Sequence, residues 1–309
     1  MKTTTALRQL LRQPGIIVAP GAYDCLTAKL IEREGFPAVY MTGAGTAVTR
    51  VGKPDLGFAS LTEMLANASA MASTVSVPLI ADADTGYGGA LNVYRTVQEY
   101  ARAGVAALHI EDQAFPKRCG HLDGKEVVPV AEMVAKLRAA CDARTDDDLV
   151  IIARTDALAV TVLDDTLRRC AAYAEAGADV LFVEALRTQA EIDRVRREVD
   201  LPLLYNFVEH GKSPLIPVPQ LAMLGFKMVI FPGSLMLSVY TLAQRILREI
   251  RQHGTTANLL GDMVSVVELF NLMGMQESLA LDAKWIGNAA APPVERQTSA
   301  RARAHRAHP

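Results

Sequence analysis

Val150-Ile151-Ile152-Ala153-Arg154-Thr155-Asp156 is an apolar run that ends abruptly in charge. A run this short and this rich in β-branched residues reads as a strand, and its near-continuous apolarity means that both faces are buried, as in a parallel sheet. The pattern recurs. Comparable runs stand at Ile16–Val18, Ala38–Met41, Leu79–Asp82, Ala107–Glu111, Val180–Glu184, Leu203–Asn206 and Met228–Phe231, with the first named run extending over Val150–Arg154. Between them lie stretches with helical spacing, among them Leu61–Ser73, Val93–Ala103, Ala131–Ala143, Leu163–Ala176 and Gln189–Val199. Gly104, Gly177 and Gly225 stand where such helices stop, because glycine accepts the left-handed conformation that ends a helix. Eight strand–helix units predict a closed (β/α)8 TIM barrel rather than an open sheet.

The residues that close each strand point to an enzyme. Tyr23-Asp24, Thr42-Gly43, Asp82 with Asp84, Glu111-Asp112, Arg154-Thr155-Asp156, Glu184 and Asn206 come at or just after successive strand ends. Polar groups therefore gather at the C-terminal face, where barrel enzymes build their active sites. Asp and Thr also cap helices. Capping does not account for Glu111, Arg154 and Glu184, whose charges end buried strands.

Composition and charge set the bounds. The chain has 309 residues, 50% hydrophobic and 21% charged, which suits one large barrel, and its net charge of −2 gives no reason to expect nucleic acid or an anionic membrane as partner. No apolar run approaches the ~20 residues of a membrane span, and the first residues lack the pattern of a signal peptide. The four cysteines, Cys25, Cys119, Cys141 and Cys170, form no CxxC pair, so a reducing cytoplasm is expected. Beyond the eighth strand, Leu235–Gln252 reads as a long amphipathic helix, with further helical segments over Val264–Leu281. The expected organisation is a barrel with a helical extension over 1–287 and a disordered tail over 288–309, where Arg301, Arg303, His305, Arg306 and His308 collect. No P-loop, no GxGxxG opening a helix after the first strand and no GxSxG elbow competes with the barrel reading.

Two stretches carry chemistry on their own residues. Asp82-Ala83-Asp84-Thr85-Gly86-Tyr87-Gly88-Gly89 sets two carboxylates two apart at a strand end, among glycines that let the backbone turn closely past a ligand. Mg²⁺ takes oxygen ligands and keeps several waters, so one or two carboxylates suffice, and Asp55 and Glu111 add negative charge. A lone Asp-x-Asp is a weak signal, and no His or Cys cluster suits zinc. Lys117-Arg118-Cys119-Gly120-His121 lies in Ala114–Val128, a segment longer than a usual βα loop and of the length of an active-site lid. A thiol flanked by Lys, Arg and His is expected to have a lowered pKa and to exchange protons near neutrality. Arg154, Glu184 and Asn206 come from three consecutive strands, and Arg154 either forks onto a substrate carboxylate or pairs with Glu184. Gly43-Ala44-Gly45 is a loose candidate for backbone anion binding.

With these residues in hand, the chain resembles the isocitrate lyase/phosphoenolpyruvate mutase superfamily, above all its 2,3-dimethylmalate and methylisocitrate lyases. The likeness rests on Tyr40-Met41-Thr42-Gly43, Asp82 to Gly88, His109-Ile110-Glu111-Asp112-Gln113, Lys117 to His121 and Ala153-Arg154-Thr155-Asp156. It runs from about Gly21 to Asn206, and more loosely to Trp285. The resemblance implies a homotetramer, a dimer of dimers, with the last barrel helix exchanged between subunits. It implies Mg²⁺, with Mn²⁺ as a substitute, near Asp82 and Asp84, with Asp55 and Glu111 acting through water. Substrate oxygens are then expected at Thr42, Gly43, Ala44, Gly120, Arg154, Glu184 and Asn206.

The Lys-Arg-Cys-Gly-His loop favours carbon–carbon lyases over phosphonate-forming mutases. The implied reaction opens with loss of the 2-hydroxyl proton, to Tyr40 or Glu111, and breaks C2–C3. Cys119 then donates a proton, with Lys117, Arg118 and His121 setting its state. Methylisocitrate lyases hold a third carboxylate with arginines whose positions here fall loosely on Leu237 and Val266. An unpaired buried carboxylate costs several kcal/mol or more, so an alkylmalate giving pyruvate and a short carboxylate is the expected substrate. Methylisocitrate, oxaloacetate decarboxylation and a carboxyphosphonoenolpyruvate mutase remain as alternatives.

Overall fold

The computed structural model describes residues 1–286. The tail expected over 288–309 lies outside the described residues. Eight parallel strands, β1 (Ile17–Ala22), β2 (Val39–Met41), β3 (Leu79–Asp82), β4 (Ala107–Glu111), β5 (Val150–Thr155), β6 (Val180–Val183), β7 (Leu203–Asn206) and β8 (Met228–Phe231), close in sequence order into a barrel. Closure is β1 against β8, with Ile17 opposite Met228 and Pro20 opposite Phe231. The first strand runs past the expected Ile16–Val18, through Pro20-Gly21 to Ala22. Gly21 is needed there: a Cβ at this position would lie 2.6 Å from the Pro232 backbone.

Helices α1 (Thr3–Arg12), α2 (Cys25–Arg33), α3 (Gly43–Thr46), α4 (Leu61–Thr74), α5 (Ala90–Arg102), α6 (Val130–Asp142), α7 (Leu163–Glu175), α8 (Gln189–Glu198) and α9 (Val218–Met223) intervene or precede. The sequence reading missed α1. Its Leu7 is fully buried and packs with Ile17, Tyr40, Ile80, Val150, Ile152, Phe182 and Leu204 inside the barrel. A larger apolar layer, including Val39, Met41, Ala81, Leu108 and Ile151, packs outward with helix residues such as Met64, Tyr100 and Tyr173.

Those two sets alternate along each strand, and the alternation places the site. Side chains of a strand point to opposite faces with period two. The inward series therefore runs Ile80 then Asp82, Ala107 then His109 then Glu111, Ile152 then Arg154, Phe182 then Glu184, and Leu204 then Asn206. Apolar residues fill the lower layers and charged ones the top. Asp24 and Thr188 are helix caps, each completing a capping box, so for Asp24 the capping explanation holds.

After β8 comes α10 (Ser234–His253), ended by left-handed Gly254. Among the described residues, Met1–Leu259 form one compact unit and those from Leu260 to Ile286 belong to a second. In the latter, the helical segments expected over Val264–Leu281 are α11 (Val266–Leu272) and α12 (Met275–Ile286), parted at Gly274 with φ +88°. Among the described residues no helix is long and apolar enough to cross a membrane.

Candidate active site

The β3 end forms an oxygen-rich pocket. Asp82 Oδ1 accepts from the Asp84 backbone N–H (2.9 Å), which folds the second carboxylate back toward the first. Asp84 holds φ +46°, a left-handed conformation rare outside glycine, and the neighbouring Gly86 and Gly88 also have positive φ. Such a conformation costs ~1–3 kcal/mol and concentrates at functional sites. Lys117 reaches in from the lid, bonded to Asp55 and 2.6 Å from Asp84 Oδ1. Burial works against ionisation of Asp82, yet His109, Lys117 and Arg154 hold its pKa below the usual range. Asp84 goes the other way: burial pushes it up to about 6 despite Lys117.

Arg154 is the hub of the mouth. Its Nε lies 2.9 Å from Asp156 Oδ2 and 3.3 Å from Glu111, and its Nη2 lies 3.3 Å from Glu184. Glu184 also takes bonds from Asn206 Nδ2 (3.1 and 3.3 Å) and stands 3.0 Å from His121 Nε2. The Lys212 backbone N–H donates to His121 Nδ1 (2.9 Å), so the ring proton belongs on Nε2, facing Glu184. Burial opposes ionisation of Glu184, but Arg154, His121 and Lys125 hold its carboxyl far below the usual range.

The segment between β4 and α6 folds over this mouth. Gln113 bridges to Val127, and the Cys119 N–H donates to the Asp55 carbonyl (3.1 Å). Gly120 packs directly on the hub: an added Cβ would lie 2.6 Å from Glu184 Cδ. Gly120→Ala is therefore expected to lower turnover by about 100-fold, since displacing the catalytic loop by ~1 Å has that scale of effect. Steady-state kinetics on an accepted substrate would check it, and wild-type turnover by G120A would show that the loop does not pack here during the reaction.

The cation question can be tested on this donor set. Asp55, Asp82, Asp84, Glu111, Asp156 and Glu184 face Lys117, Lys125 and Arg154, with the imidazoles of His109 beside Asp82 and His121 beside Glu184, so acidic groups outnumber the permanent cations they are paired with. Glu111 Oε1 is buried without a hydrogen-bond partner, and burial drives the pKa of Glu111 well up. Among the described residues no group of three or more His, Cys, Asp or Glu converges as a protein cage. A hard divalent ion that keeps its waters does not need one. The oxygen donors and the excess negative charge fit Mg²⁺.

A family profile described as phosphoenolpyruvate phosphomutase matches residues 7–251. The chain belongs to the phosphoenolpyruvate phosphomutase family. It is 43% identical to 2,3-dimethylmalate lyase of Eubacterium barkeri over 90% of this chain and 96% of that enzyme. It is equally identical to 2-methylisocitrate lyase of Aeropyrum pernix, over 90% of this chain and 89% of that one. Among solved structures, oxaloacetate acetylhydrolase in complex with 3,3-difluorooxalacetate matches with a TM-score of 0.89 and 40% identity, covering 94% of this chain and 99% of that one. Phosphonopyruvate hydrolase, solved with oxalate and Mg²⁺, matches at 0.84 and 32%, covering 93% and 100%.

In this phosphomutase-family barrel, the expected site residues meet at the C-terminal mouth, with two changes of role. The Gly43 N–H, expected to face substrate, donates to Asp82 Oδ2 (3.2 Å), and Thr42 caps α3 by accepting from the Gly45 N–H (3.3 Å). Arg154 and Glu184 do pair, so both readings of Arg154 concern one cluster. Tyr40 Oη lies 2.8 Å from His109 Nε2 and 3.4 Å from Asp82, and burial raises its pKa well above the usual value.

The expected lowering of the Cys119 pKa is overturned. Burial, then Asp55, push the thiol up. Its basic neighbours do not form a positive field around it: Lys117 is bound by Asp55 and Asp84, Arg118 is exposed and donates to the Asp123 carbonyl (3.0 Å), and His121 faces Glu184.

The sequence reading quoted His109 and Asp156 in motifs without giving either a role, and it missed Lys125. The place of His109 in the site could have been read, since it stands two residues before Glu111 on the same strand face. Lys125 gives no such signal, because its partners are fixed only by how the lid folds.

Proposed function

We propose that this chain cleaves a 2-hydroxy dicarboxylate of the 2,3-dimethylmalate class to pyruvate and propionate, in a Mg²⁺-dependent reaction with Cys119 as proton donor. That it is a lyase of this superfamily follows from its relatives; the substrate, metal and acid are the proposal. The observation that carries the substrate is the exit of β8. There Ser234 donates to Glu209, Glu209 Oε2 is buried without a partner, and a Cβ on Gly233 would lie 3.3 Å from Leu237 Cδ1 and 3.7 Å from Glu209. The resemblance puts the cation for a third substrate carboxylate here, and an apolar side chain and a carboxylate stand in its stead. Arg245, on α10, lines the same cavity of about 580 Å³ from farther along the helix than Leu237.

The chemical work divides among named side chains. The carboxylates Asp82 and Asp84, with Asp55 and Glu111 through water, would hold Mg²⁺, whose contribution is Lewis-acid stabilisation of developing negative charge. Glu111 accepts the 2-hydroxyl proton: its Oε1 is buried without a hydrogen-bond partner, and burial, which drives its pKa up, makes its carboxylate a stronger base than an ordinary one. The C2–C3 bond breaks, C2 becomes the carbonyl of pyruvate, and the electron pair passes to C3 and its carboxylate. Cys119 Sγ–H gives its proton to C3. A thiol held protonated by burial is the right state for a donor. Glu184 acts by orienting the donors Arg154, His121 and Asn206 rather than by touching a substrate carboxylate, which its own charge would repel.

The proposal extends to assembly and place. No residue of α10 is buried, and Tyr240, Leu247 and Ile250 lie bare on it, which supports exchange of this helix within a dimer of dimers. Four free thiols support a reducing cytoplasm. The deciding experiment incubates the protein and Mg²⁺ with 2,3-dimethylmalate, methylisocitrate, oxaloacetate and carboxyphosphonoenolpyruvate and identifies products. Dimethylmalate is expected to be cleaved with at least about 10-fold higher kcat/KM than methylisocitrate, the discrimination scale of an unpaired buried charge. The reverse preference sinks the substrate assignment, and a sedimentation measurement giving a monomer sinks the assembly.

A further inference from the structure

Lys125 carries an ammonium that is almost fully buried, its side chain 1% exposed. A buried charge is tolerated only with close partners, and it has two. It donates to the Gly120 carbonyl, in the lid, and to Asp156 Oδ1 (2.8 Å), at the end of β5. Both partners belong to larger arrangements. Gly120 lies between Cys119 and His121 and is pressed against Arg154 and Glu184. Asp156 receives Arg154 through Nε (2.9 Å) and Nη2 (3.2 Å), and its own N–H donates to Asp112 Oδ1 (2.9 Å). The rim behind it is rigid: Asp112 also takes Thr155 Oγ1 (2.7 Å) and Tyr173 Oη (2.8 Å).

We propose that Lys125 is a positioning residue that latches the lid, coupling its closure to the placement of Cys119 and Arg154. With the lid down, one ammonium fixes the carbonyl next to the acid and completes the charge balance of the carboxylate that orients Arg154. With the lid raised, that carbonyl is released and Asp156 loses one of its two cations, so acid and guanidinium lose their setting together. Lys125 itself touches no reacting atom. The inference rests on the lyase reading for its kinetic part only.

The test compares wild type with K125M, which keeps the stem without the charge, and with K125R and K125A, all as full-length chain. Turnover of 2,3-dimethylmalate with Mg²⁺ is measured per site, with sites counted by titration with Mg²⁺ and oxalate. K125M is expected to lose about 100-fold in kcat with KM within about threefold, the scale of a misplaced acid. K125R is expected to keep part of the rate. Ethylammonium is expected to restore K125A by at least about tenfold, while ethanol of similar size does not, because only a cation can rejoin Asp156 and the lid carbonyl. Protease cleavage within 114–128 is expected to be faster in K125M than in wild type.

A K125M variant with wild-type kcat, or K125A indifferent to ethylammonium, overturns the proposal. If K125M does not fold, K125R and K125A with and without ethylammonium decide it. If wild type turns over no substrate, the lyase reading falls, and the proteolysis comparison alone then decides the latch: a lid cut no faster in K125M than in wild type overturns it.

Discussion

Cys119→Ser is expected to lower the rate of carbon–carbon cleavage by about 10³-fold, within the range that a positioned general acid contributes. Serine keeps the size and the hydrogen-bonding role of the side chain but not its acidity, since a hydroxyl holds its proton far more tightly than a thiol. Binding is expected to survive, because Arg154, Glu184 and Asn206 are held by one another and not by Cys119. The informative measurement is therefore kcat together with Mg²⁺–oxalate affinity. Loss of both would place Cys119 in binding, and loss of neither would remove it from the reaction.

The direction of the thiol's shift adds a second readout. Burial and Asp55 raise its pKa, so the donor form persists through neutral pH. The rate is expected to hold across neutrality and to fall on the alkaline side, as the thiol ionises at a pH above that of an ordinary cysteine. A fall beginning below neutrality would mean that a lowered pKa governs the acid.

That shift also shows where sequence stops being legible. The charges beside Cys119 in the chain are real, but their direction depends on partners that lie far away in sequence. Lys117 is drawn to Asp55 and Asp84, and His121 to Glu184, each across more than twenty residues. The barrel was legible because its signal is local: apolar runs, helical spacing and glycine stops repeat within each unit. The top layer was legible too, because period two carries Asp82, Glu111, Arg154 and Glu184 to the same face. Two kinds of feature were not. Helix α1 does carry Leu7, Leu10 and Leu11 at helical spacing, but it precedes the first strand and so belongs to no strand–helix unit, and that Leu7 enters the barrel floor is fixed only by the fold. Lys125 and Asp156 meet through a lid whose path no periodicity encodes. The position of Leu237, by contrast, could be argued from a missing arginine, since an absent charge is visible in sequence wherever its neighbours lead.

Asp84→Asn is expected to abolish most activity, by at least about 100-fold, and to weaken divalent-cation binding to a similar degree, because the substitution removes an anionic oxygen from a site with few protein ligands. Removal of metal by a chelator is expected to silence the wild type in the same way, with activity returning on added Mg²⁺ or Mn²⁺. The pH dependence separates this carboxylate from its neighbour. Burial raises Asp84 to about 6, whereas Asp82 stays below its ordinary value. A proton on Asp84 competes with the cation, so affinity is expected to fall as the pH drops through about 6 and to level off above it. Asp82, ionised throughout, contributes no change in that window. Lys117 sharpens the expectation, since its ammonium stands between Asp55 and Asp84 and has to yield to a cation there. Calorimetric titration of Mg²⁺ or Mn²⁺ at pH 5 and pH 8 reads the effect directly. Affinity in the wild type that does not change between those two values, or D84N that binds as wild type does, would take Asp84 out of the cation site and leave the hard-oxygen assignment resting on Asp82, Asp55 and Glu111.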